Sequence, residues 1–259
     1  MQSVSAAIRG VLLADVPADK VRVARRVARD WRMGRLAHDF SVAMPDRPAR
    51  PERPELLPPN RMPKRGRGGS ERGRVAMLHA LAHIEYVAID LAFDMAGRFG
   101  SEFPRGFVDD WMKVGADEAM HFALLDRRLR TLGSGYGAHP AHDGLWEAAG
   151  ETAHDAMARL AVVPMVLEAR GLDITPMTIE RFRSAGDEPS ARILQRIMTD
   201  EIVHVSAGTR WFNWACVRDD SDPVNKWKTL VNRHFRGVLK PPFNDSARAA
   251  AGLTQDFYL

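Results

Sequence analysis

A Glu-x-x-His pair occurs twice in this chain at one fixed offset, each time inside apolar sequence with helical spacing. Glu118 and His121 form the first pair, in DEAMH, and Glu201 and His204 the second, in DEIVH. The offset (201 − 118) is 83 residues, and the same step separates two single glutamates in apolar stretches, Glu85 in LAHIEYVAIDLA and Glu168 in VVPMVLEARG. Residues i and i+3 share one face of a helix, so the Glu and His of a pair can hold one ion from the same turn. Each carboxylate interrupts a stripe that should face a core: Leu78, Ala82, Ile89 and Ala92 flank Glu85, and Leu194, Ile197, Val205 and Gly208 flank Glu201 and His204.

Chance placement gives roughly 0.4 Glu-x-x-His matches in a chain of this composition, and three are present. The third, Glu151 with His154, fails the repeat, because stepping back by the same offset lands on Glu71 in Gly/Arg-rich sequence. It reads as a surface or pocket-edge pair. Glu85, Glu118, His121, Glu168, Glu201 and His204 are the expected metal ligands. Four unpaired carboxylates buried together would cost several kcal/mol each, and bound cations remove that cost. Four carboxylates against two divalent ions make a neutral site, and mixed carboxylate and imidazole donors suit iron or manganese. Two ions are therefore expected, as Fe/Fe or Fe/Mn. Asp117 and Asp200 precede the paired glutamates at the same offset. They are expected to orient the histidine rings, Asp117 reaching His204 and Asp200 reaching His121.

Apolar spacing in residues 4–38 predicts a short helical hairpin broken near Asp15 to Asp19, within an N-terminal extension over 1–44. Seven prolines between Pro45 and Pro63, followed by Gly66, Gly68 and Gly69, make 45–74 an extended Pro/Arg-rich arm. A four-helix bundle is expected over 75–217. Its helices should run near 71–98 with Ser70 as N-cap, 105–132 ending at Gly133, 144–170 stopping at Gly171, and 188–217. Pro164 should kink the third, and a short helix near 176–185 should follow Pro176. Residues 218–259 form a tail packed on the bundle, with a short helix near 223–236. Strand-like alternation is scarce, so the fold class is all-α.

The arm holds nine Arg/Lys against four acids, more positive charge than the whole chain's net +4, so the rest is close to neutral. A solvated arm across its own domain accounts for the high pI, and nucleic acid is not an expected partner. One cysteine, Cys216, excludes an internal disulfide and a sulfur-rich metal site. The N-terminus lacks a secretory apolar region, and charges are expected to interrupt every apolar stretch short of a membrane span. The expectation is a soluble cytoplasmic protein with no membrane partner, a monomer or homodimer.

From Ser70 to Cys216 the chain resembles a bacterial ferritin-like family known only as a domain of unknown function. The strings that carry the resemblance are HALAHIEYVAIDLAFD, DEAMHFALLDRRLRTLG, YGAHPAHDGLW, VPMVLEARGLDITP and DEIVHVSAGTRWF, with KPPFNDSAR in the tail. The resemblance implies a ferritin-like four-helix bundle with a di-iron site, and no known reaction. In such bundles two helices each give one Glu and two each give a Glu-x-x-His pair, all pointing inward. The expected function is an O2- or peroxide-dependent oxidoreductase with a small organic substrate and an electron donor; the alternatives are an iron-handling ferroxidase and a hydroxylase of modified tRNA. The loop after the second helix carries Tyr136, His139, His142, Asp143 and Trp146, and with Arg170 it offers a possible substrate pocket. Arg170 and Asp173 read first as a structural ion pair.

Overall fold

The computed structural model describes residues 1–63 and 70–259. The chain is predominantly helical and divides into two compact units, 1–146 and 147–259. In the first, α1 (Val4–Leu12) and α2 (Pro17–Arg32) form the expected N-terminal hairpin, with Ser3 capping α1 by accepting from the Ala6 N–H. The one departure from helix at this end is a two-residue parallel pairing of Gln2–Ser3 with Leu36–Ala37. The main elements of this unit are α3 (Glu71–Phe99) and α4 (Arg105–Thr131), which pack along each other. Ser70 caps α3 as expected, its hydroxyl accepting from the Gly73 N–H at 3.1 Å. At the end of α4, Gly133 takes φ +70° and Ser134 N–H reaches back to the Leu129 carbonyl (3.0 Å), a glycine-terminated helix stop. Close approach of α3 and α4 depends on Gly115, where a Cβ would lie 2.5 Å from the Phe93 ring.

Glu85, Asp90 and Asp94 interrupt the apolar run of α3, but they do not keep it short of a membrane-spanning length. Part of this helix is long and apolar enough to cross a membrane by length and composition, at a mean hydropathy of 1.4, and 67% of that part is buried within the protein. Its charges are met inside the fold. Asp90 is fully buried and pairs with Lys20 of α2 (2.5 Å) and with Arg50, and Asp94 is held by Arg98. Most of this helix lies in the core of its unit.

Residues 38–58 lack helix, as the prolines dictate, and a single 3-10 turn follows at Pro59–Arg61. The arm is fastened to its own unit. Arg47 pairs with Asp143, Arg98 donates to the Pro45 carbonyl (2.9 Å), and Leu57 N–H and Ala141 N–H bond the carbonyls of Ala141 and Glu55. The arm's basic residues Lys64, Arg65 and Arg67 lie outside the described residues.

In the second unit the chain departs from the single helix expected over 144–170. Helix α5 (Gly144–Glu151), which spans the unit boundary, ends in a break, and α6 (Ala156–Val162) restarts on an Asp155 cap. The break is held by the buried Arg159 guanidinium, which donates to the Ala149 carbonyl (2.6 Å) and the Thr152 hydroxyl (2.9 Å). Pro164 does not simply kink the helix. It sits in a π-helical segment, Val163–Glu168, where the wider turn absorbs the missing N–H. Trp227 Nε1 donates to the nearby Ala161 carbonyl (3.2 Å). Gly171 does not stop the helix either: α7 (Ala169–Ser184) runs through both Gly171 and Pro176. The remaining helices are α8 (Glu188–Arg218), α9 (Pro223–His234), α10 (Asp245–Ala250) and α11 (Gln255–Tyr258).

Candidate metal centre

In the first unit, α3 and α4 bring Glu85, Glu118 and His121 together. Each offers one ligand atom, and these atoms lie within 4.8 Å of one another. His121 Nδ1 is 3.2 Å from Glu85 Oε2 and 3.3 Å from Glu118 Oε2. All three side chains are buried, His121 at 0% exposure and Glu118 at 1%. Burial opposes a charge on His121, but hydrogen bonds to Glu118 and Glu85 overcome it and push its pKa up to about 11. A proton on Nδ1 thus sits where two carboxylates converge, the place a divalent ion would take. Buried carboxylate oxygens grouped around an imidazole nitrogen fit a hard or borderline transition-metal ion.

The second unit repeats this local pattern. Glu201 and His204 are buried on α8, and His204 Nδ1 lies 3.5 Å from Glu201 Oε1. Glu168 is the last residue of the π-helical segment and half-buried. A Cβ at Gly208 would lie 2.5 Å from the Pro164 ring, so glycine is what lets α8 approach that segment. Asp117 and Asp200 are each held from the preceding turn of their own helix, by Lys113 (2.6 Å) and Arg196 (2.7 Å). Lys113 and Arg196 are themselves separated by 83 residues (196 − 113), so the repeat extends one turn further than the acids alone suggest.

Of the expected pocket residues, Tyr136, His139 and His142 gather on α3. Tyr136 hydroxyl lies 2.9 Å from His83 Nδ1, and His83 Nε2 donates to the His142 carbonyl at 3.2 Å. His79 Nε2 accepts from the backbone N–H of Gly137 (2.9 Å) and of His139 (3.4 Å), and the His139 ring meets the His79 ring edge-on. Burial lowers both α3 histidines to a pKa of about 4, helped by His139 at His79 and by Arg50 at His83. Both rings are therefore neutral latches for the loop. Arg170 belongs to the second unit, where it donates to Asp173 (3.4 Å) and to the carbonyls of Lys240 and Pro242. The ion-pair reading of Arg170 thus describes its contacts, although Arg248 makes the tighter, two-pronged bond to Asp173 (2.8 Å each). The pair Glu151 and His154 lies at the α5–α6 break, Glu151 bonded to Arg236 and His154 beside His234.

The residues that the motif reading passed over are His79, His83, Lys20 and Asp90. A signal for them was present. His79 and His83 are four apart on the helix that carries Glu85, and Asp90 and Asp94 break the same apolar run.

A relative from Haemophilus influenzae (strain ATCC 51907 / DSM 11121 / KW20 / Rd), described as an uncharacterized protein, is 43% identical over 211 residues, covering 79% of this chain and 73% of the relative. No solved structure matches the chain significantly. The model of a family described as "protein of unknown function (DUF455)" matches residues 13–259, and the chain belongs to that family.

Proposed function

We propose that this is a di-metal carboxylate protein with a ferritin-like four-helix bundle, in which Glu85, Glu118 and His121 are joined by Glu168, Glu201 and His204 around two ions, Fe/Fe or Fe/Mn. The observation that carries this reading is the buried Glu–Glu–His triad of the first unit, whose ligand types recur at a constant offset on α8 and beside it. In this arrangement Asp117 and Asp200 hold the histidine rings in place, each steadied by the cation one turn earlier. Two ions held by these six residues would supply the two-electron chemistry that activates O2 or peroxide. The protein's own part is to hold the ligands, keep water away with the apolar faces of α3 and α4, and close the site with the Tyr136–His142 loop. We assign it as a cytoplasmic oxidoreductase acting on a small organic substrate with an external electron donor.

The test is metal content and O2 consumption of the full-length protein loaded anaerobically with ferrous iron. Two ions per chain are expected, with oxygen uptake that Glu118→Ala and Glu201→Ala abolish. Wild-type uptake no faster than that of Glu118→Ala would remove the oxidoreductase reading.

A further inference from the structure

Helix α2 presents a continuous stripe of arginine. Arg22, Arg25, Arg26, Arg29 and Arg32 recur at three- and four-residue steps and are exposed, while Ala24, Val27 and Trp31 on the opposite face are buried. Two of the five are met by acids nearby, Arg22 by Asp19 (2.9 Å) and Arg29 by Asp30 (3.8 Å). Arg25, Arg26 and Arg32 make no ion pair among the described residues.

Arg26 differs from the other arginines in its position. It lines a cleft of about 450 Å3 to which α1 contributes Ala6, Ala7 and Gly10, and α2 contributes Val23 and Val27. The short side chains of α1 are what leave this space between the two helices. Gln2 and Leu36, partners in the two-residue parallel pairing, line it as well. Ala7, Val27 and Leu36 are buried and give the cleft an apolar floor, whereas Gly10 and Arg26 are exposed at its mouth. Asp30 also lines it, but its charge is already met by Arg35 (3.2 Å). The unmet charge in the cleft is therefore the Arg26 guanidinium. None of the lining residues lies on α3, on α4 or in the loop after α4, so the cleft is separate from the candidate metal centre.

A cleft of this size falls within the range of small-molecule sites, roughly 300–1,000 Å3. Its floor favours an apolar body, because covering it removes apolar surface from water. A planar guanidinium at the mouth takes a carboxylate through two parallel hydrogen bonds. The stripe around it raises the local concentration of anions. We infer that the α1–α2 cleft binds a small organic acid with an apolar body, a medium-chain or arylalkyl carboxylate. Its carboxylate pairs with Arg26, and its body lies against Val23, Val27 and Gly10. This second site does not depend on the di-metal reading.

Octanoate is the probe, titrated by calorimetry into the full-length protein at about 0.15 M salt, where distant surface charges are screened. Octanol, with the same body and no charge, is the comparison. Saturable octanoate binding is expected. Arg26→Gln should weaken it about tenfold, the scale of a hydrogen bond to a charged group, and should leave octanol affinity unchanged. A Cβ at Gly10 would meet nothing within 4 Å, so the side chain of Gly10→Leu extends into the cleft without displacing a neighbour. That variant should lose both ligands while its thermal melt is preserved. Arg25→Gln, on the stripe but outside the cleft, should change octanoate affinity by less than about twofold. No saturable octanoate binding, or binding that Gly10→Leu leaves intact, overturns the inference. Equal octanoate affinities in Arg26→Gln and Arg25→Gln overturn it too, since the stripe would then act as a general anion surface with no anchor in the cleft.

Discussion

Asn244 donates its side-chain amide to the Leu172 carbonyl at 3.1 Å, the carbonyl that Pro176 cannot serve because proline has no N–H. The tail thereby repairs the helix that a proline would otherwise break. The Asn244 backbone N–H also reaches Asp173 (2.9 Å), and its side-chain oxygen caps α10 at Ala247 (3.3 Å). Asn244→Ala should cost about 1–3 kcal/mol, the scale for leaving a buried acceptor unmet. Pro176→Ala returns the missing donor, so the two substitutions should couple: the penalty of Asn244→Ala should shrink in the Pro176→Ala background. Urea denaturation of the four proteins checks this, and strictly additive effects would refute the repair.

His121 gives a pH prediction for the metal-free protein. Its folded pKa is raised to about 11, above an unfolded value of about 6.5. Its contribution to stability is therefore fully present below about pH 6.5 and is lost as pH rises toward 11. Thermal melts in chelator should fall across that window. A metal ion replaces the Nδ1 proton, so the loaded protein should lose less over the same range, and loading should release a proton below the folded pKa. Equal pH profiles for loaded and metal-free protein would show that His121 Nδ1 is not a ligand.

Asp90 balances two cations, Lys20 and Arg50, in the interior. Removing the shared carboxylate strands both, whereas removing Lys20 leaves Asp90 with Arg50. Asp90→Asn should cost about 3–5 kcal/mol, the range for breaking a buried pair, and Lys20→Met distinctly less. Guanidinium melts of the two variants give the order directly. A larger loss for Lys20→Met would mean that its bonds to the Val11 and Leu12 carbonyls matter more than the ion pair.

Helices α3, α4 and α8 were legible because each carries a long apolar stripe between clear punctuation. Ser70 opens α3, Gly133 follows α4, and Gly186 precedes the Asp187 cap of α8. The triad of Glu85, Glu118 and His121 was legible because helical spacing converts directly into a shared face. The stretch 144–184 was not, because its outcome depends on partners distant in sequence. Arg159 holds a break that only the Asp155 cap announces locally, and Trp227 and Asn244 supply donors to the carbonyls of Ala161 and Leu172. Gly and Pro are strong local signals, but a tail reaching back from about seventy residues away (244 − 172) can override them. The Lys20–Asp90 pair was hidden for the same reason, since neither residue's neighbours name the other.

Two glycines test this difference between local rule and tertiary context. Gly171 reads locally as a helix stop, where a left-handed backbone would make Ala costly. In the structure it lies inside α7, and a Cβ there would meet nothing within 4 Å. Gly171→Ala should therefore stabilise the protein by about 0.5–1 kcal/mol, the helix-interior difference between the two residues. Gly208 is also inside a helix, so propensity alone predicts the same gain. There, however, a Cβ would lie 2.5 Å from the Pro164 Cβ and 2.6 Å from its Cγ. A proline ring in a fixed backbone cannot swing away, so α8 must shift, at a cost of about 1–3 kcal/mol for overpacking. That shift moves the Glu201–His204 turn relative to the segment that ends in Glu168. Gly208→Ala should then weaken metal retention, read by competition with a chelator, while Gly171→Ala leaves retention unchanged. Opposite signs in thermal melts are the expected result; two stabilised variants would mean that α8 does not rest on Pro164.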